Sequence, residues 1–167
     1  MTLTEIGRIH TPFPRAAGTP IQPCRAIGTE GFIKLEAAWV PGLKDLEGFE
    51  RIWLIFWFHR ASEAKMLVMP YRDIVERGLF ATRAPARPNP IGLSCVRLLG
   101  IEGDILQIGE VDILDDTPLL DIKPYVPQYD NYPVRHCGWV DTVPDRDVIA
   151  DDRFERRNPA GPEATGM

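Results

Sequence analysis

The sequence predicts a mainly β fold, an antiparallel β-barrel or sandwich with short helices and an irregular C-terminal tail. Three observations predict it: several short apolar runs with strand-like patterning, turn residues between them, and no long amphipathic helical repeat. With 16 prolines and 14 glycines in 167 residues, little room is left for an uninterrupted helix. The strand, G-x-G-x-x-G, helix unit of doubly wound nucleotide-binding folds is absent, and no internal repeat is visible. A chain of 18.8 kDa is large enough for one domain with its own core, placed at residues 1–145, with 146–167 as the tail.

The elements follow in order. Residues 3 to 9, Leu-Thr-Glu-Ile-Gly-Arg-Ile, alternate apolar and polar as a half-buried strand does, and the proline-rich stretch 11–22 reads as a loop. Residues 32–40 read as a second strand that Pro41-Gly42 ends, and 43–48 as one helical turn stopped by Gly48. The most apolar run, Ile52 to Phe58, is rich in β-branched and aromatic residues and is expected to be a strand buried on both faces. His59 sits where it emerges, as a general base, a ligand contact or a satisfied structural residue. Residues 61–78, with Pro70 among them, read as a loop or lid. Leu79 opens a short apolar strand, Ile91 to Leu99 is another, and Gly103-Asp104 turns into 105–114, whose poor alternation predicts a bulge near Gly109. Asp115 to Pro118 is an acidic turn, or a plain β-turn. Asp121, Lys123 and Tyr125 share one face if the chain stays extended. Beyond Tyr125 the chain is rich in proline and charge, and Arg153 to Met167 is expected to be loosely packed.

The segment Leu79 to Ser94 carries the most local information. Pro85, Pro88 and Pro90 fix their own φ and push Ala84, Arg87 and Asn89 towards extended conformations, so the segment cannot be helical. Arg83 and Arg87 on such a rigid turn suit a clamp for an anion or carboxylate, or are solvated arginines of a surface turn; Arg87 and Asn89 could instead brace the turn through backbone carbonyls. The formal charge of −5 weighs against a broad nucleic-acid face, although Arg60, Lys65, Arg72, Arg77, Arg83 and Arg87 could form one local positive surface. Cys24, Cys95 and Cys137 have no paired C-x-x-C spacing, so reduced thiols and no metal are expected. No apolar run approaches the length of a membrane helix and no leader pattern opens the chain, so a cytoplasmic protein is expected.

Arg83-x-x-x-Arg87-Pro-Asn-Pro-Ile-Gly-Leu-Ser94 followed by Asp115-x-Thr-Pro-x-x-Asp-Ile-Lys-Pro-Tyr125 resembles the paired signature of the TsaA/TrmO-like methyltransferases, and the likeness runs from about Ile6 to Tyr125. The resemblance implies a TsaA-like, or YaeB-like, barrel that binds S-adenosyl-L-methionine in its own way and works as a homodimer. It also implies N6-methylation of threonylcarbamoyladenosine beside the anticodon of tRNA. By the same resemblance the cofactor contacts are Pro20, Ile21 and Gln22; His59 and Arg60; Arg83, to the cofactor carboxylate; Leu93, by its backbone to adenine; and Asp115, Asp116, Thr117 and Pro118. Three of these depart from the family pattern: Ile21 replaces arginine, Arg60 replaces glutamine, and Asp116 replaces a glycine, which is costly where φ is positive. On the acceptor side, Asp121 or Tyr125, with Lys123 beside them, could take the proton that a methylated amine releases, unless Asp121 and Lys123 form an ion pair that closes the barrel. A methyltransferase acting on a small molecule and a non-catalytic S-adenosyl-L-methionine-binding protein stay open as alternatives.

Overall fold

The computed structural model describes residues 2–145 and 148–156. Its eight strands are β1 Gly7–His10, β2 Glu30–Leu35, β3 Arg51–Trp57, β4 Leu67–Val68, β5 Arg77–Gly78, β6 Ile91–Glu102, β7 Ile105–Gly109 and β8 Thr117–Pro124. Six of them close an antiparallel barrel in the order β1-β2-β7-β6-β3-β8, while β4 and β5 form a separate hairpin. Closure removes the unpaired edges that an open sheet of the same strands would present.

Alternation explains the core. Ile9, Ile33, Leu54, Val96, Ile108 and Leu119, one from each barrel strand, are all fully buried and belong to one cluster. The strand expected to be buried on both faces is not: Ile52, Leu54 and Phe56 point inward, whereas Trp53, Ile55 and Trp57 are only half-buried on the outside. A closed sheet has one interior, and here loops cover part of the outer surface rather than a second layer.

Gly7 shows how close β1 and β2 come. A Cβ there would stand 2.5 Å from the Lys34 carbonyl oxygen and 2.9 Å from Leu35 Cα, both main-chain atoms that cannot step aside alone. Gly7→Ala is therefore expected to lower stability by about 2 kcal/mol, measured by urea denaturation. An unchanged midpoint would show that the two strands can separate without loss.

Several boundaries differ from those expected. β1 begins at Gly7 rather than at residue 3. β2 ends at Leu35, and Ala37–Leu43, with Pro41 inside it, is a 3-10 turn, so Trp39 is not in a strand. Leu79–Ala81 is also a 3-10 turn, because Leu79 is drawn into a second core instead of a sheet. β7 stops at Gly109, since Glu110 takes a left-handed conformation, φ 59°, that no strand continues through. The expected irregularity lies opposite, where the pairing of β6 with β7 slips between Leu98 and Gly100 and the Leu99 side chain packs over Gly109.

Residues 61–78 contain the β4–β5 hairpin, and that second core joins them to the C-terminal segment. Val68, Leu79, Ala84, Ala86 and Phe154 are buried together with Tyr71 against them. Phe154 is 5% exposed, so Arg153 to Arg156 is packed rather than loose; residues 157–167 of the expected tail lie outside the described residues. The Ser62 amide donates to the Phe154 carbonyl (2.8 Å) and the Arg156 amide to that of Arg60 (2.8 Å).

Candidate functional site

Four segments meet over one end of the barrel and enclose a cavity of about 850 Å³. Its walls come from the loop before β2, the end of β3, the proline-stiffened turn running into β6, and the 112–117 connection, and the C-terminal segment closes one side. Such a volume is in the range of a site for a small ligand.

The turn holds its shape through Arg87. Its Nη1 donates to the carbonyls of Thr82 (3.1 Å) and Ala84 (3.3 Å), and its guanidinium lies over the Phe80 ring at 5.7 Å. The reading of Arg87 as a brace is thus the one the structure supports. Arg83 points elsewhere: its Nη1 donates to Gln22 Oε1 (2.8 Å), which ties the turn to the N-terminal loop across 61 residues of sequence. The Phe58 amide donates to the Pro90 carbonyl (2.7 Å), locking the end of β3 against the same turn.

His59 follows at that end. Burial first, and then the neighbouring Arg60 cation, hold its imidazole below the usual histidine pKa, so it is neutral at pH 7. Its Nδ1 lies 3.4 Å from Thr117 Oγ1, whose hydroxyl donates to the Leu114 carbonyl (2.8 Å). Arg60 donates to the Pro14 carbonyl and stands 3.9 Å from Glu155.

Pro20, Ile21, Gln22, His59, Arg60, Arg83, Leu93 and Thr117 all line the cavity. Asp115, Asp116 and Pro118 do not. Burial alone would raise the Asp115 carboxyl, but the backbone amides of Thr11 and Asp116, with His10, more than offset this and keep it below the usual carboxylate range. Its Oδ1 accepts from the Thr11 amide at 3.1 Å. Asp116 has φ 59°, so the position does require the left-handed conformation, and its carbonyl accepts from Arg8 Nη1 (2.9 Å).

Asp121, Lys123 and Tyr125 lie outside the cavity. Asp121 and Lys123 form an ion pair (2.7 Å) on a partly exposed surface, and Tyr125 meets Trp53 edge to face with ring centres 5.8 Å apart. Asp121 pairs with Ile55, which pairs with Leu93 on its other side. Two strand spacings, about 10 Å, therefore separate Asp121 from the cavity wall.

The charge surface is also less open than the sequence suggests. Arg77 pairs with Asp73 (2.6 Å) and Arg72 approaches Asp145 (3.4 Å), so the basic cluster is partly neutralised. Arg72 nonetheless lines the cavity, with its Nε buried and lacking a hydrogen-bond partner among the described residues. Among the described residues no group of three acidic, histidine or cysteine side chains could hold a metal ion.

Sequence reasoning missed Asp112 and the C-terminal wall. Asp112 lines the cavity, and burial pushes its carboxyl up to about 6, moderated by the Ser94 hydroxyl, its own backbone amide and the Arg83 cation. A lone acid inside the apolar run Val111-Asp-Ile-Leu114 was the available signal. Trp139, Phe154 and Glu155 line the other side, and no motif points to them.

Known proteins are similar to this chain in sequence and fold. The chain is 52% identical over 136 residues to a Pyrococcus abyssi protein described as a probable S-adenosyl-L-methionine-binding protein, covering 81% of this chain and 74% of that one. It is 38% identical over 137 residues to the Mus musculus tRNA (adenine(37)-N6)-methyltransferase, covering 77% of this chain but 32% of the mouse protein. The crystal structure of TrmO from Pseudomonas aeruginosa superposes with a TM-score of 0.70 at 38% identity, over 83% of this chain and 62% of that one. The chain thus spans less than two thirds of two of these three relatives. Residues 8–131 match the family described as the tRNA-methyltransferase O N-terminal domain, and the chain belongs to this family.

Proposed function

We propose that the chain is an S-adenosyl-L-methionine-dependent methyltransferase that methylates N6 of threonylcarbamoyladenosine next to the anticodon of tRNA. The observation that carries this reading is the convergence of two distant segments, the proline-stiffened turn 83–94 and the 112–117 connection, on one cavity in a barrel of this family. The residues present suit the cofactor. Arg83 offers donors to a carboxylate, Leu93 offers backbone and an apolar surface, and Asp112 offers a negative charge.

The bound cofactor would supply an activated methyl group on a sulfonium. Everything else is positioning, which for a transfer between two held groups supplies most of the rate. The Arg83–Gln22 bridge ties the turn to the N-terminal loop, and Phe56 and Phe58 give the cavity an apolar wall. An N6 amine gains acidity as it is methylated, and Asp121 or Tyr125, on the outer face of the barrel away from the cavity, is the proposed proton acceptor, with Lys123 ion-paired to Asp121. Neutral His59 is a cavity group able to accept a hydrogen bond or a proton. A homodimer in the cytoplasm belongs to the same proposal, and a twofold partner could complete the acceptor side.

Incubating the protein with methyl-labelled S-adenosyl-L-methionine and bulk tRNA tests the reading. Label is expected in the tRNA, at N6 of the hypermodified adenosine after nuclease digestion. Label only in small molecules, or tight binding with no transfer, would replace it by one of the two alternatives; the second is favoured by the distance of Asp121 from the cavity.

A further inference from the structure

We propose that Asp112 is the counter-charge through which this site selects the sulfonium of S-adenosyl-L-methionine over the uncharged thioether of its demethylated product. The inference rests on the cofactor reading above and deepens it.

Two acids line the cavity among the described residues, Asp112 and Glu155. Glu155 is already engaged: its carboxylate faces Arg60 and accepts from the Ala16 amide (3.3 Å). Asp112 accepts from Ser94 Oγ (2.7 Å) and, among the described residues, forms no ion pair. Protein atoms surround its carboxyl, while the cavity leaves part of the residue accessible. Phe56, Leu93 and Ile113, which carry no side-chain donors, line the same cavity, and the Arg83 cation acts on Asp112 without pairing with it.

Such a carboxylate is poorly solvated, and a cation entering the cavity would relieve it. The chemistry of the surroundings says which cation. An ammonium brings three N–H groups that each want an acceptor. A sulfonium has only carbon substituents, so it fits apolar walls and needs nearby negative charge rather than acceptors. In a site shielded from water that attraction is several times stronger than in bulk solvent. Burial of the carboxyl, seen also in its raised pKa, adds a consequence: the preference should appear only where Asp112 is ionised, above about pH 6.

The other titratable groups around the cavity are His59 and Arg60 at the end of β3, Arg83 and Arg87 on the turn, and Tyr71, Arg72 and Glu155 towards the C-terminal wall. The arginines keep their charge across this range, and burial pushes the Tyr71 phenol well up, so it stays neutral. His59 is the confounder. Its positive charge at low pH would also repel a sulfonium, so it must be separated experimentally from Asp112.

The test is isothermal calorimetry on the full chain with S-adenosyl-L-methionine and S-adenosylhomocysteine, from about pH 5 to about pH 8, with thermal melts to confirm folding. For the unaltered protein, preference for the charged ligand is expected to rise with pH through about 6. Asp112→Asn should weaken the charged ligand about tenfold or more at the upper pH, leave the thioether little changed, and flatten the pH profile. His59→Gln should keep the profile. If Asp112→Asn does not fold, Ser94→Ala decides: losing the hydroxyl that favours the carboxylate must move the profile to higher pH. Equal weakening of both ligands by Asp112→Asn, a profile abolished by His59→Gln alone, or no shift in Ser94→Ala overturns the proposal. An unaltered protein that binds both ligands without charge preference overturns this inference alone, whereas one that binds neither overturns the cofactor reading with it.

Discussion

Replacing Arg83 by alanine is expected to raise the dissociation constant for S-adenosyl-L-methionine well over tenfold, more than about 1.4 kcal/mol of binding free energy. The substitution removes a cavity cation and also the 2.8 Å bond to Gln22 that ties the proline-stiffened turn to the N-terminal loop. A bound carboxylate would lose its charge-assisted donor, and the mouth would lose part of its preorganisation. Folding should change little, because the bond is exposed and the turn is held independently by Arg87. Calorimetry at fixed salt measures the effect. An unchanged dissociation constant would remove Arg83 from the site and leave it a surface brace.

Leu54→Ala is expected to destabilise the fold by about 3 kcal/mol, within the range of about 2 to 5 seen when a buried leucine is truncated. Leu54 is fully buried at the middle of β3, the strand that pairs with β6 on one side and β8 on the other. Its neighbours come from strands fixed by closure, so the cavity cannot collapse cheaply. Urea denaturation with an unchanged slope should report the loss. A loss below about 1 kcal/mol would show that the barrel interior repacks around the missing side chain.

Where local chemistry settled the structure, it was readable in advance. Pro85, Pro88 and Pro90 exclude a helix whatever surrounds them, and Arg87 bracing carbonyls within its own turn is a short-range matter. The alternation of β1 and the aromatic run at β3 identified strands, and a glycine replaced by Asp116 correctly raised the question of positive φ. Eight of the eleven cofactor candidates, taken from the resemblance, line the cavity; Asp115, Asp116 and Pro118 do not, and Pro118 follows Thr117 in β8, where successive side chains take opposite faces.

What the sequence by itself determined was the mainly β class, the rigid turns and the set of segments that matter, because these depend on backbone restriction and on period-two patterning within a few residues. Only the tertiary structure decided which of those segments touch. Strand order in a closed barrel, Arg83 reaching Gln22, Asp112 facing the same space as Thr117, and Phe154 sealing a second core are contacts between residues far apart in the chain. Such contacts form when burial of apolar surface outweighs the entropy of closing long loops, a balance set by the whole chain.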